Sequence, residues 1–102
     1  MEIRRVGVLG CGLMGSGIAE VCARAGFETV VREVDDAALA RGMDRIRGSL
    51  DRAVAKGKLE AAAREAALGR LQTATDFDAL AGCDLVIEAI VENLEEKLRT
   101  FA

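Results

Sequence analysis

Thirteen residues, Arg5 to Gly17 (R-V-G-V-L-G-C-G-L-M-G-S-G), restrict what this chain can fold into more than any other stretch. Val6, Val8 and Leu9 form a short β-favouring run, with Gly7 as its one small interruption. Three glycines follow at Gly10-x-Gly12-x-x-Gly15. After them Leu13, Met14, Ile18, Val21, Cys22 and Ala25 recur at helical spacing, and Gly26 is placed to cap the helix end. The order is buried strand, glycine turn, helix. Gly10 permits a tight turn out of the strand, and the missing Cβ at Gly12 lets a pyrophosphate reach the backbone. Gly15 allows the helix to pack close to the strand. The spacing is that of a dinucleotide-binding turn, with Cys11, Leu13 and Met14 at its variable positions. Free N–H groups at the helix start would face the phosphates.

Alone, six residues of this spacing also fit a tight strand–helix turn that binds nothing. Context favours the ligand. A second apolar strand, Thr29-Val30-Val31, leads to Glu33, which lies 18 residues after Gly15 (33 minus 15). That is close to the separation expected for an acid that binds the adenosine ribose.

The rest of the chain narrows the partners. Its 102 residues suit one small domain, long enough for a core but short for a complete two-part enzyme. A net charge of −3 offers no basic patch for nucleic acid, and three phenylalanines are too few for a base-stacking platform. No apolar run approaches membrane-spanning length, and Met1 to Arg5 lead directly into a strand with no signal-peptide character. Cys11, Cys22 and Cys83 are odd in number and lack metal-like spacing, so reduced thiols in a cytoplasmic protein are expected. Cys22 and Cys83 are small core candidates, whereas Cys11, inside the turn, is expected to be exposed when no cofactor is bound.

The coarse pattern is strand 5–9, helix 13–25, strand 28–33, long helix 36–56 and a second helix at about 60–70. A short strand near 72–74, strand 84–90 and a helix from about 93 follow. Alternating strands and helices predict an α/β fold: a Rossmann-type, doubly wound parallel sheet. Only its first strands are present, in the order 3-2-1-4, with two helices inserted between strands 2 and 3. Leu39, Met43, Ile46, Leu50 and Val54 give the long helix an apolar stripe. Asp35 or Asp36 can cap its start and Gly57 can end it. Arg45, Ser49, Arg52 and Lys56 form a second row on the same helix. Such a row is either a solvated charged face or a surface for a polyphosphate. Asp84 to Val91 is a strongly apolar run that reads as a buried strand beside strand 1, ending at the crevice with Glu92, Asn93 and Lys97 after it.

Two segments carry a resemblance. V-G-V-L-G-C-G-L-M-G-S-G-I-A-E-V-C-A-R-A-G-F together with D-L-V-I-E-A-I-V-E-N-L-E-E-K is similar to the N-terminal half of the L-3-hydroxyacyl-CoA dehydrogenases, which include 3-hydroxybutyryl-CoA dehydrogenases. The likeness extends over the whole chain. It implies NAD as cofactor and an acyl-CoA substrate whose 3-hydroxyl is oxidised to the 3-keto form. By the same resemblance Gly10 to Gly15 match the pyrophosphate loop and Glu33 the ribose acid. Glu92 and Lys97 match residues lining the NAD site, and Ser49 and Lys56 match positions that contact coenzyme A. The family also implies a homodimer for the full-length protein, with no nucleic-acid or membrane partner.

Two departures matter. Glu33 stands where the family usually has Asp; a carboxylate there still repels the 2′-phosphate of NADP. Arg32 beside it should point to the opposite face of the strand. The chain also contains no histidine, whereas the family uses a His–Glu acid/base pair. The expectation is therefore that residues 1–102 are the cofactor-binding portion of a longer enzyme, inactive alone, with the last strand left as an apolar edge. Two alternatives are another β-hydroxyacid dehydrogenase and a non-catalytic, crystallin-like NAD-binding protein.

Overall fold

A computed structural model describes residues 2–89 of the chain. The predicted helix from about 93, with Glu92 and Lys97, lies outside the described residues. Four parallel strands form one sheet in the order β3-β2-β1-β4. They are β1 (Arg5–Leu9), β2 (Glu28–Arg32), β3 (Leu71–Ala74) and β4 (Leu85–Glu88). Helix α1 (Leu13–Arg24) connects β1 to β2; α2 (Asp36–Ala55) and α3 (Ala61–Gly69) both lie between β2 and β3. A 3-10 turn, Phe77–Leu80, precedes β4. The register places Val8 opposite Val31 of β2 and Ile87 of β4. The chain thus turns outward after β1 and returns on its other side at β4, so the C-terminal end of β1 lies at the switch point of the sheet.

The core follows from the strand and helix patterns. Val6, Val8, Val30 and Val31 are buried in the two central strands, and Val6, Val8 and Val31 share one core cluster with Leu39, Ile46 and Leu50 of α2. Met43, from the same stripe, is half-buried against this cluster. Asp35 caps α2, its carboxylate accepting from the Ala38 N–H at 2.8 Å, and Gly57 follows the helix with a φ of 73°. At the lower end of the sheet Asp84 accepts from the backbone N–H groups of Arg4 and Arg5, at 2.8 and 3.0 Å. Those two bonds tie the start of β4 to β1 and hold the Asp84 carboxyl below its ordinary range.

Two expectations need correcting. The apolar positions of α1 are not its fully buried face: Leu13, Met14, Val21 and Ala25 are exposed and Ile18 and Cys22 are half-buried against the core, while Gly15, Ser16, Ala19 and Ala23 are buried. A small residue is required at Gly15 because α1 there lies almost against the turn that precedes it. Cys11 is not exposed; it is 1% accessible and belongs to the core. Among the described residues β4 is the apolar edge expected of the last strand. It pairs with β1 on one side only, and Leu85 and Val86 stand exposed at the sheet edge. No helix among the described residues is long and apolar enough to cross a membrane.

Candidate functional site: a crevice above the glycine turn

Residues 10–15 leave β1 through Gly10, whose φ of 98° is a conformation that glycine adopts without strain. The Gly10 N–H donates to the Arg32 carbonyl at 2.9 Å, so the turn starts from the last residue of β2. Gly15 then passes directly under it. A Cβ at Gly15 would stand 2.0 Å from the Gly10 carbonyl oxygen, a backbone atom that cannot move aside. Helix α1 begins at Gly12 with no side-chain cap and no acidic residue in its first turn. Its leading N–H groups and positive dipole end are therefore left for another acceptor.

Cys11 is the knot of the turn. Its N–H donates to Glu33 Oε2 at 2.7 Å. Its carbonyl accepts from the Ser16 hydroxyl at 3.1 Å and from Arg45 Nη1 at 3.2 Å. Its side chain lies under α2, where a Cβ at Gly42 would meet Cys11 Sγ at 2.1 Å and the Cys11 carbonyl oxygen at 2.8 Å. Burial pushes the Cys11 thiol above its usual value; the Ser16 hydroxyl and Arg45 oppose that rise and Glu33 adds to it. The thiol is thus a packed, neutral group.

Glu33 closes the other side. Its second oxygen, Oε1, accepts from the Val34 N–H at 2.9 Å. Both oxygens are fixed, and each keeps a further lone pair for a sugar hydroxyl. Arg32 faces elsewhere: its Nε donates to the Thr75 carbonyl at 3.0 Å and its guanidinium lies 3.8 Å from the centroid of the Phe77 ring. The expected opposition of Arg32 and Glu33 across the strand is what the structure has.

Together these elements enclose an open crevice of about 750 Å³. Cys11, Gly12, Leu13 and Met14 line it from the turn, Glu33 and Val34 from the end of β2, and Ala89 from beyond β4. Ala38, Arg41 and Arg45 line it from α2. Leu13 is 84% accessible, an apolar side chain standing at the mouth of the crevice. The expected loop residues and Glu33 are thus brought together. Ser49 lies in a neighbouring hollow between α1 and α2, beside Arg45 and Arg52. Lys56, at the far end of α2, lines neither hollow. The turn fits a dinucleotide: its backbone approach is kept open by glycine, its helix start is uncapped, and a carboxylate stands opposite.

Sequence reasoning missed Val34, Ala38, Arg41 and Gly42. The steps from Ala38 to Arg41 to Arg45, three and four, were a readable signal that one face of α2 is shared. Gly42 carried no such signal, because its role depends on Cys11 from a different element. Among the described residues no group of three or more His, Cys, Asp or Glu could hold a metal ion.

Comparison with known proteins agrees with this geometry. The family model described as "3-hydroxyacyl-CoA dehydrogenase, NAD binding domain" matches residues 5–102. Over 100 residues the chain is 51% identical to a 3-hydroxybutyryl-CoA dehydrogenase of Mycobacterium tuberculosis, covering 98% of this chain and 35% of that protein. It is 44% identical over 102 residues to the 3-hydroxyadipyl-CoA dehydrogenase of Escherichia coli K12, covering all of this chain and 22% of the relative. The crystal structure of (S)-3-hydroxybutyryl-CoA dehydrogenase from Ralstonia eutropha superposes with a TM-score of 0.87 at 41% identity, over 98% of this chain and 35% of the other. The chain thus spans about a third of the length of the 3-hydroxybutyryl-CoA dehydrogenases it matches. With the glycine turn, the acid at the end of β2 and this family match in agreement, the chain belongs to the NAD-binding domain family of the 3-hydroxyacyl-CoA dehydrogenases.

Proposed function

We propose that the crevice above residues 10–15 holds NAD, and that the full-length protein oxidises (S)-3-hydroxyacyl-CoA to 3-oxoacyl-CoA. NAD, when bound, supplies the hydride acceptor. This chain's own residues do the holding. The uncapped start of α1 offers N–H donors to the diphosphate. Glu33 offers fixed acceptors to the adenosine ribose and repels a 2′-phosphate. Leu13 and Met14 supply apolar surface that keeps water from the bound ring systems. Glu92 and Lys97, by resemblance, complete the NAD site.

Proton removal needs a group that titrates near neutrality, and none of these 102 residues is a histidine. The acid/base pair is therefore assigned to the remainder of a longer protein, in keeping with relatives of about three times this length. Ser49 and Lys56 are assigned to coenzyme A. Ser49 lines a hollow with Arg45 and Arg52 as well as Glu20 and Asp44, while Lys56 reaches solvent from the end of α2. The same proposal includes a homodimeric, cytoplasmic enzyme acting in fatty-acid β-oxidation.

The observation that carries this reading is the pairing of an uncapped helix start with a backbone-anchored carboxylate across one crevice. Titrating full-length protein with NADH and NADPH tests it, followed by assay with (S)-3-hydroxybutyryl-CoA and NAD. NADH should bind more tightly than NADPH, and the assay should produce NADH. Tighter NADPH binding, or no nucleotide binding, would remove the basis for the assignment.

A further inference from the structure

Of the arginines in the described residues, only Arg41 and Arg52 have no hydrogen bond, ion pair or ring contact. The others are engaged with carboxylates, carbonyls, Gln72 or Phe77. Each of these two unpartnered cations lines a hollow: Arg52 the one between α1 and α2, Arg41 the cofactor crevice. Its place along α2 is informative. Ala38, one step earlier on the same face, follows directly from Glu33, Val34 and the Asp35 cap. Arg45, one turn later, is pinned to the Cys11 carbonyl. Arg41 therefore falls between these two on the wall that α2 gives the crevice, a free guanidinium lining the same crevice as an anchored carboxylate. Three acids around it have other partners: Glu33 is bonded to the Cys11 and Val34 N–H groups, Asp35 caps α2, and Asp44 pairs with Arg47 at 3.6 Å.

Resting on the NAD assignment above, we propose that Arg41 is a cofactor-binding residue that engages the adenosine end of the dinucleotide and sets how far a 2′-phosphate is tolerated there. A planar guanidinium matches phosphate oxygens with two parallel donors and also lies well against a flat base. Glu33 repels an added 2′-phosphate, and Arg41 opposes that repulsion. Coenzyme preference is then the balance of two fixed opposite charges rather than the action of the acid alone.

The test uses full-length protein as wild type, Arg41→Ala and Arg41→Lys, titrated with NADH and with NADPH, with thermal unfolding of each protein in the absence of nucleotide. Loss of the guanidinium should weaken NADPH about tenfold and NADH about threefold, so that Arg41→Ala is the more NAD-selective protein. Arg41→Lys should recover part of the NADPH affinity, since it restores charge without the planar fork. Unfolding temperatures should agree among the three, because Arg41 has no protein partner to lose. Equal losses for both nucleotides, no loss for either, or wild-type NADPH binding too weak to measure at millimolar concentration would overturn the role of Arg41. Failure of the wild type to bind NADH would instead remove the cofactor assignment itself.

Discussion

Helices α1 and α2 follow neighbouring parallel strands and start at the same end of the sheet, yet they are built in opposite ways. Helix α2 is capped by Asp35, carries Asp36 in its first turn, and buries the large side chains Leu39, Ile46 and Leu50. Helix α1 has no side-chain cap and no acid at its start, buries Gly15, Ser16, Ala19 and Ala23, and leaves Leu13 and Met14 at the surface. The second helix satisfies its own N-terminus and pays into the core; the first leaves its donors unsatisfied and Leu13, Met14 and Val21 exposed, with only Ile18 and Cys22 of its larger residues half-buried against the core. A helix arranged like α1 is complete only with an anionic, partly aromatic ligand against it.

Substitutions can break or sharpen that contrast. The largest effect should come from Gly15→Ala, because the new Cβ would meet a backbone carbonyl at 2.0 Å. The expected cost is on the order of 3 kcal/mol or more, with loss of NADH binding, read by urea unfolding and nucleotide titration. Unchanged unfolding would mean that α1 can stand further from the turn than described. Next comes Ile46→Ala on α2, which is 1% accessible and should cost about 3 kcal/mol in the same unfolding experiment. A loss below about 1 kcal/mol would show that α2 carries less of the core than its burial indicates. Asp35→Ala removes the cap of α2 and should cost about 1 kcal/mol. Leu13→Ala should be the mildest, within about 0.5 kcal/mol of wild type, since the side chain is 84% accessible. Its effect should appear instead as weaker NADH binding. A large stability loss at Leu13 would place that side chain in the core and erase the difference between the two helices.

The contrast also explains what could be read from the residues alone. The stripe on α2 was legible because large apolar side chains at helical spacing have one obvious use. The buried face of α1 was not, because Gly15, Ser16, Ala19 and Ala23 carry almost no hydropathy signal, and the large residues beside them lie at a rim. Cys11 was misread for a related reason: its burial is created by Gly42, on a helix that approaches from elsewhere in the chain. For β4, the apolar run and its place at the edge were both legible, and among the described residues this strand has a neighbour only on the β1 side. The site was legible where chemistry and spacing coincide, at Gly10, Gly15 and Glu33. Arg41 was hidden among the basic residues of α2, since nothing in its sequence neighbours marks it as unpartnered.

One bond links coenzyme choice to backbone shape. The carboxylate that would discriminate between the two nicotinamide coenzymes is also what anchors the amide of Cys11, at 2.7 Å. Exchanging that acid for a neutral residue would relax the turn while it removed the charge. Redesign of this domain towards the phosphorylated coenzyme must therefore start on the helix wall and leave Glu33 in place as a structural tie.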